Sequence, residues 1–402
     1  LIRIRQNGSA EEGSVSGRSG NEDANAEHVN VEHVNVEPGE ILARTAEFVP
    51  TGFDAWGAES FPANADSQTG VDWQTAIKRA IRSASQLRQI LGLPQIDSQK
   101  TGDGQTEGEM NFPTFVPWEF LSRIRPGDPA DPLLRQVLSD PEEDVERTGF
   151  TPDPVGDLNA LATGGLLHKY QGRALIIASG ACGVHCRYCF RREFPYAAAG
   201  SRAEDWRPSI EYIWHRPEIE EVILSGGDPL TIVDQKLDEL ITAIESIPHV
   251  RRLRIHTRMP IVIPQRVTPA LTARLASSRL AIWFVVHANH PNELDENVLN
   301  RLAMLIDSGV PVLNQAVLLR GVNDDAATLL ELCRRLVDHR IQPYYLHQLD
   351  RVRGAAHFEV PVATGKRLMK ILQESLPGYA VPTYVVEEAG KTSKTPVTDQ
   401  IE

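Results

Sequence analysis

The chain has 402 residues, 41% hydrophobic and 24% charged, which is enough to bury a large core and ordinary for a soluble globular protein. Its net charge of −13 argues against a nucleic-acid groove, and no run approaches the roughly 18 apolar residues of a membrane helix. Neither a basic n-region nor an apolar h-region opens the sequence, so a cytoplasmic protein without a membrane partner is expected.

Residues 1–72 read as a disordered, low-complexity tail. They are rich in Gly, Ser, Asn and Glu, repeat HVNVE at 28–32 and 33–37, and lack the apolar periodicity that would offset chain entropy. The tail opens on Leu1 rather than Met, as a fragment or an overextended gene start would, and it carries no assigned function. Residues 1–70 hold −8 of the net charge, which leaves only −5 on the body. Over 73–150 a helical subdomain is predicted, from DWQTAIKRAIRSASQLRQILGLP near 73–95 and a second helical region over 115–140 that ends in DPLLRQVLSD.

From 172 onward the pattern alternates. Apolar, β-branched runs fall at 173–179, 221–225, 252–257, 281–287, 310–319 and 342–347, with helix-like segments near 208–217, 233–246, 268–278, 293–308, 325–339 and 362–375. Six strand–helix units imply parallel strands with crossover helices, as in an incomplete (β/α) barrel or an open doubly wound sheet. No GxGxxG follows any of these strands, which weighs against dinucleotide binding.

Four cysteines are too few for a disulfide framework. Cys333 lies alone in a helix-like stretch and reads as a buried core thiol. Cys182, Cys186 and Cys189 instead form CxxxCxxC directly after the first strand, where active-site loops of parallel α/β folds assemble. Three thiolates on a four-iron cluster leave one iron open to a ligand. Zinc is the competing reading; His185 lies inside the loop, but no second CxxC exists to complete such a site. The next strand ends in Ser225-Gly226-Gly227-Asp228, which by itself is also a common turn.

With Tyr188 beside the last cysteine, this loop resembles the signature of the radical S-adenosylmethionine (SAM) superfamily. In that superfamily the open iron binds SAM and cleaves it to a 5′-deoxyadenosyl radical. The segments CRYCFRREFPY, SGGDPL, LRIHTRMPIVIPQRVT, HANHPNE, LNQAVLLRGVNDD and PYYLHQLDRVRGAAHF resemble the lysine 2,3-aminomutase group. LLHKYQGRALI, DPLLRQVL and the terminal SKTP are closest to the branch that makes (R)-β-lysine for elongation factor P. The resemblance spans 73–402. It implies an α/β fold with an incomplete (β/α)6 TIM-like barrel over 151–360, preceded by the helical subdomain and the disordered tail. A C-terminal segment, 361–402, follows and carries the pyridoxal phosphate (PLP) lysine.

Carried over residue by residue, the resemblance implies an isomerase that moves the α-amino group of lysine to C3, using a [4Fe–4S] cluster, SAM and PLP. Ser225, Gly226, Gly227 and Asp228 match the motif beside the methionine end of SAM. Lys394, before Thr395-Pro396, matches the lysine that tethers PLP as a Schiff base, with Lys391 as competitor. Lys169, Tyr170 and Arg173 match the PLP phosphate and ring contacts, with Lys169 where the family more often has Arg. Arg191 matches the clamp on the amino-acid carboxylate, and Arg192 reads as a structural or solvent-facing partner. For the distal ammonium, Asp324 matches one expected acid, while Gln348 stands where a second is expected unless Asp350 substitutes for it. Loss of that acid agrees with the elongation factor branch and keeps another amino acid in play, with a catabolic lysine 2,3-aminomutase as a further alternative. A SAM-consuming transferase or RNA modifier is the reading from another class. The expected partners are lysine, an external electron donor such as flavodoxin or ferredoxin, a second copy of the chain in a homo-oligomer, and a β-lysine ligase serving elongation factor P.

Overall fold

The computed structural model describes residues 71–95, 111–197 and 205–397. All but the last two residues of the expected disordered tail lie outside them. The helical pattern near 73–95 resolves into two helices. Helix α1 (Trp73–Arg79) starts where the Asp72 carboxylate accepts the Thr75 amide at 2.9 Å, and α2 (Ala84–Ile90) is capped by Ser83. Between them Ile81 leaves the helix to bridge Val116. The helical region expected over 115–140 is a correction. It holds only two four-residue helices, α3 (Trp118–Leu121) and α4 (Pro132–Arg135). Pro126, Gly127 and Pro129 interrupt it, since proline cannot continue a helix through its interior, and Pro132 opens α4 at its first position. Trp73, Leu87, Val116, Phe120 and Leu133 are buried in the same continuous apolar core as the strands that follow.

The sheet has ten strands in chain order. Strands β1 (Leu161–Thr163), β2 (Leu166–Tyr170) and β3 (Arg173–Ser179) run antiparallel. From β3 the chain continues in parallel through β4 (Glu221–Gly226), β5 (Arg252–Thr257), β6 (Ala281–His287), β7 (Val312–Val317), β8 (Gln342–His347) and β9 (Thr383–Val386). A two-residue β10 (Thr395–Pro396) returns antiparallel on β9. The crossovers carry α5 (Arg207–Trp214), α6 (Asp234–Glu245), then α7 (Met259–Val262) with α8 (Pro269–Ala276), α9 (Glu296–Asp307), α10 (Ala326–Asp338) and α11 (Val362–Ser375). All six expected strand–helix units are present, plus a seventh parallel strand, β9. The strand order is linear and no ladder joins β10 to β1, so hydrogen bonds leave the sheet open.

Register decides which residues face the helices and which face the hollow. Ile176, Leu224, Ile255, Phe284 and Val312 align across five strands, all essentially buried against the crossover helices. Side chains alternate along a strand. The opposite face therefore carries Ser225, Arg254, His256, His287, Gln315 and His347. An inner face of Arg, His and Gln is no packed core; it lines a site. Cys333 is 2% exposed in α10, within the outer apolar layer. Among the described residues no helix is long and apolar enough to cross a membrane.

Candidate functional site

Strand β3 ends at Ser179 and leads directly into the cysteine loop. The loop rests on the end of β4, where Gly227 N donates to Ser179 O and Asp228 N to Ala181 O, both at 2.7 Å. A Cβ on Gly227 would lie 2.3 Å from Ala181 O, and one on Gly226, at φ +118°, 2.5 Å from Ser179 O. Glycine is required at both positions because backbone meets backbone there. From the other side, His185 N donates to Phe115 O and its ring bonds Pro113 O at 2.7 Å. Arg187 pairs with buried Glu143, which also takes Arg192. Burial opposes ionisation of Glu143, but the two guanidiniums hold it below the usual carboxylate range. Arg192 also donates to Arg187 O at 3.0 Å and Gly354 O at 3.1 Å.

The three cysteines are half-buried and free. Burial and the neighbouring sulfurs raise the Cys182 thiol well above its ordinary range, and Cys189 is pushed up to about 11 by burial and Cys186. A metal takes cysteine as the thiolate, so loading these positions would release their protons. Among the described residues no three His, Cys, Asp or Glu side chains meet closely enough for one metal ion.

Asp228 is 4% exposed and its carboxylate is fully occupied. Oδ1 takes Thr257 Oγ1 at 2.7 Å and Leu230 N at 2.9 Å; Oδ2 takes Arg258 N at 2.7 Å and Met259 N at 3.1 Å. Gly226 O accepts the Tyr196 hydroxyl, and Ser225 Oγ accepts Arg191 Nη1 at 3.3 Å. The SGGD segment therefore forms a fixed wall, and Asp228 holds two loops together rather than presenting a free carboxylate.

Across the hollow lies a charged cluster. Asp157 bonds Arg191 Nε at 2.6 Å and Lys169 Nζ at 2.5 Å. Lys169 also donates to Val155 O at 2.9 Å and reaches Glu387 at 3.2 Å, so its ammonium is already surrounded by oxygens. Tyr170 donates to the same Glu387 oxygen at 3.2 Å, and Arg173 stacks on the Tyr170 ring at 4.3 Å. Glu387 Oε2 pairs with Lys394, which is partly buried, while Lys391 is exposed. Although burial opposes it, Lys394 and Lys169 hold Glu387 down at about 2. Asp350 faces the same charges and is pushed up to about 7, by burial first and then by Glu387. Asp350, Glu387 and Gln348 line a cavity of about 640 Å³ together with Thr151, Arg320 and Glu359.

A search against family patterns matches the radical SAM superfamily at residues 176–333. L-lysine 2,3-aminomutase of Escherichia coli is 44% identical over 330 residues, covering 82% of this chain and 95% of its own. The enzyme of that name from Haemophilus influenzae is 44% identical over 324 residues, 81% of this chain and 95% of its own. That from Clostridium subterminale is 35% identical over 332 residues, 81% and 77%. The chain belongs to the lysine 2,3-aminomutase family.

As a radical SAM member of that family, it takes a [4Fe–4S] cluster and SAM. The free thiols of Cys182, Cys186 and Cys189 suit the cluster. For a phosphorylated aldehyde such as PLP, the hollow offers Lys394, the Arg173 guanidinium, and three buried imidazole Nε2 atoms without partners, on His256, His287 and His347. Burial keeps all three imidazoles neutral: His256 lies well below its usual range, and His287 and His347 fall to about 3. These donor sets fit both groups.

The two acid positions expected from the family do not meet here. Asp324 receives the Gly321 amide in the loop after β7 and makes no bond to the Lys169–Glu387–Lys394 cluster. Gln348 donates Nε2 to Val360 O at 2.9 Å and accepts the Tyr384 hydroxyl, so both ends of its amide are used. Sequence reasoning missed Asp157, Glu387 and the three histidines. For the histidines the available signal was inner-face parity, since His256, His287 and His347 all lie opposite the buried row on β5, β6 and β8.

Proposed function

We propose that this family member is an L-lysine 2,3-aminomutase whose product, β-lysine, serves modification of elongation factor P. The observation that carries the aminomutase reading is Lys394 paired with Glu387, beside Asp350, in the hollow whose rim bears the cysteine loop. The elongation factor branch is supported by LLHKYQGRALI, DPLLRQVL and SKTP. Cys182, Cys186 and Cys189 would hold the cluster, with SAM beside the Ser225–Gly227 wall and Asp228 bracing it. When bound, SAM on the cluster supplies the deoxyadenosyl radical, and PLP supplies an aldehyde for the substrate amine and a ring that delocalises spin.

The chain's own residues do the positioning. Asp157 aims the Arg191 guanidinium, whose fork suits a carboxylate. Arg173 offers a guanidinium to a phosphate, with Tyr170 and Lys169 behind it. Lys394 provides the amine, released from Glu387. Asp350 and Glu387 take the distal-ammonium role assigned from sequence to Asp324 and Gln348: they line the same cavity as Gln348 but offer carboxylates, whereas its amide is held by Val360 O and the Tyr384 hydroxyl. The chain is organised as a helical subdomain over 73–150, a partial (β/α)6 barrel over 151–360 and a C-terminal segment over 361–402 that carries the PLP lysine. A cytoplasmic setting, a flavodoxin or ferredoxin donor, a homo-oligomer and a β-lysine ligase partner complete the proposal.

The test is anaerobic reconstitution with iron, sulfide, reductant, PLP and SAM, followed by mass spectrometry of products from lysine, glutamate and alanine. β-Lysine without net SAM loss is expected. Absence of a PLP absorbance band in the wild type, with Lys394→Ala changing nothing, overturns the reading.

A further inference from the structure

The segments HTRMP and HANHPNE meet at the cysteine loop through Arg258, which follows β5. Its backbone amide is held by Asp228, and its guanidinium lies inside the protein. Nη1 donates to Cys186 Sγ at 2.6 Å. Nη2 is fixed by Gln136 Oε1 at 2.7 Å and Glu293 Oε2 at 2.8 Å. The rings of Phe120 and Tyr188 cover the guanidinium carbon at 5.4 and 5.7 Å. Glu293 is fully buried and takes the Asn289 and His290 amides on its other oxygen, so it cannot follow Arg258 elsewhere.

We propose that Arg258 tunes the cluster, donating a charged hydrogen bond to Cys186 that stabilises the negative charge added on reduction. The proposal rests on the reading that the three cysteines hold the cluster. Hydrogen bonds to cluster sulfurs and nearby charge set the reduction potential, and a guanidinium shielded from water acts strongly. The step adds one electron from the external donor to the oxidised cluster. No proton moves, because arginine remains charged. Glu293 partly offsets the cation and fixes its position, so the pair sets the potential between two limits.

The test is an EPR-monitored redox titration of the reconstituted protein without SAM, which separates sulfur tuning from any contact with the SAM carboxylate. Arg258→Gln is expected to lower the reduced-to-oxidised ratio about tenfold at the wild-type midpoint, equivalent to 59 mV for one electron. Glu293→Gln removes the counter-charge and moves the midpoint up, while Arg258→Lys stays nearer the wild type than Arg258→Gln. Opposite signs separate tuning from general damage to the fold. If Arg258→Gln does not assemble, the other two variants carry the test. An unchanged midpoint in Arg258→Gln, a shift that needs SAM, or Glu293→Gln moving downward overturns the proposal. Wild-type protein that takes up no iron, or Cys186→Ser that keeps the full signal, overturns the ligand reading instead.

Discussion

Lys169 and Glu387, 218 residues apart in sequence, meet at 3.2 Å and join the end of β2 to the segment after β9. No strand ladder spans that gap. Side-chain charge does there what backbone pairing does elsewhere in the sheet, and the tie is shared with Lys394.

Glu387→Gln leaves the part-buried Lys394 ammonium without its carboxylate and Lys169 with Asp157 alone. Removing one partner of a buried pair costs several kcal/mol, and partial exposure reduces this to about 1–3 kcal/mol. Because Lys394 and Lys169 hold Glu387 at about 2, below the ordinary carboxylate value, its contribution is present above that ordinary value and is lost as pH falls toward 2. Urea melts of wild type and variant should converge as pH is lowered through about 4. A constant gap would contradict the assignment.

Asp350 has the opposite sign. Burial raises it to about 7, so the unfolded chain gives up the proton first and stability drains as pH rises from the ordinary aspartate range to about 7. Without ligand, Asp350→Asn should match the wild type near pH 4 and exceed it near pH 8 in thermal melts. A substrate ammonium favours the carboxylate, so the KM for lysine should rise below about pH 7 in the wild type and stay flat in the variant.

Gly227→Ala tests how the cysteine loop is mounted. A Cβ 2.3 Å from Ala181 O must displace backbone, at a cost of about 1–3 kcal/mol. The variant should fold yet load less iron per chain on reconstitution. Full loading would show that the loop does not depend on this contact.

Gln348→Glu separates the two readings of the ammonium site. If position 348 faced the substrate, an acid there would tighten lysine binding. Its amide instead serves Val360 O and the Tyr384 hydroxyl, so the acid sets oxygen against oxygen. Expected are a loss of about 1–3 kcal/mol in denaturant melts and no fall in KM.

Much of the fold was legible because apolar, β-branched runs alternate with helix-like segments. The bounds at 173–179, 252–257, 281–287 and 342–347 coincide with β3, β5, β6 and β8. Strand β9 was not, since Thr383–Val386 is too short to show a period. The cysteine loop announced itself through spacing alone. Asp157 and Glu387 had no such signature: each is an ordinary acid near a glycine, and its significance arises from residues far away in sequence. Gln348 and Asp350 share parity just beyond the end of β8 at His347, where the strand period stops being a guide.

Three of the four bonds to Asp228, from Thr257 Oγ1, Arg258 N and Met259 N, tie the loop after β4 to the end of β5 before any ligand arrives. A wall assembled in advance pays its ordering entropy during folding, not at each encounter. Affinity for a small molecule at that wall therefore owes little to induced closure. Cutting the tie, as in Asp228→Ala, would charge that entropy to every binding event.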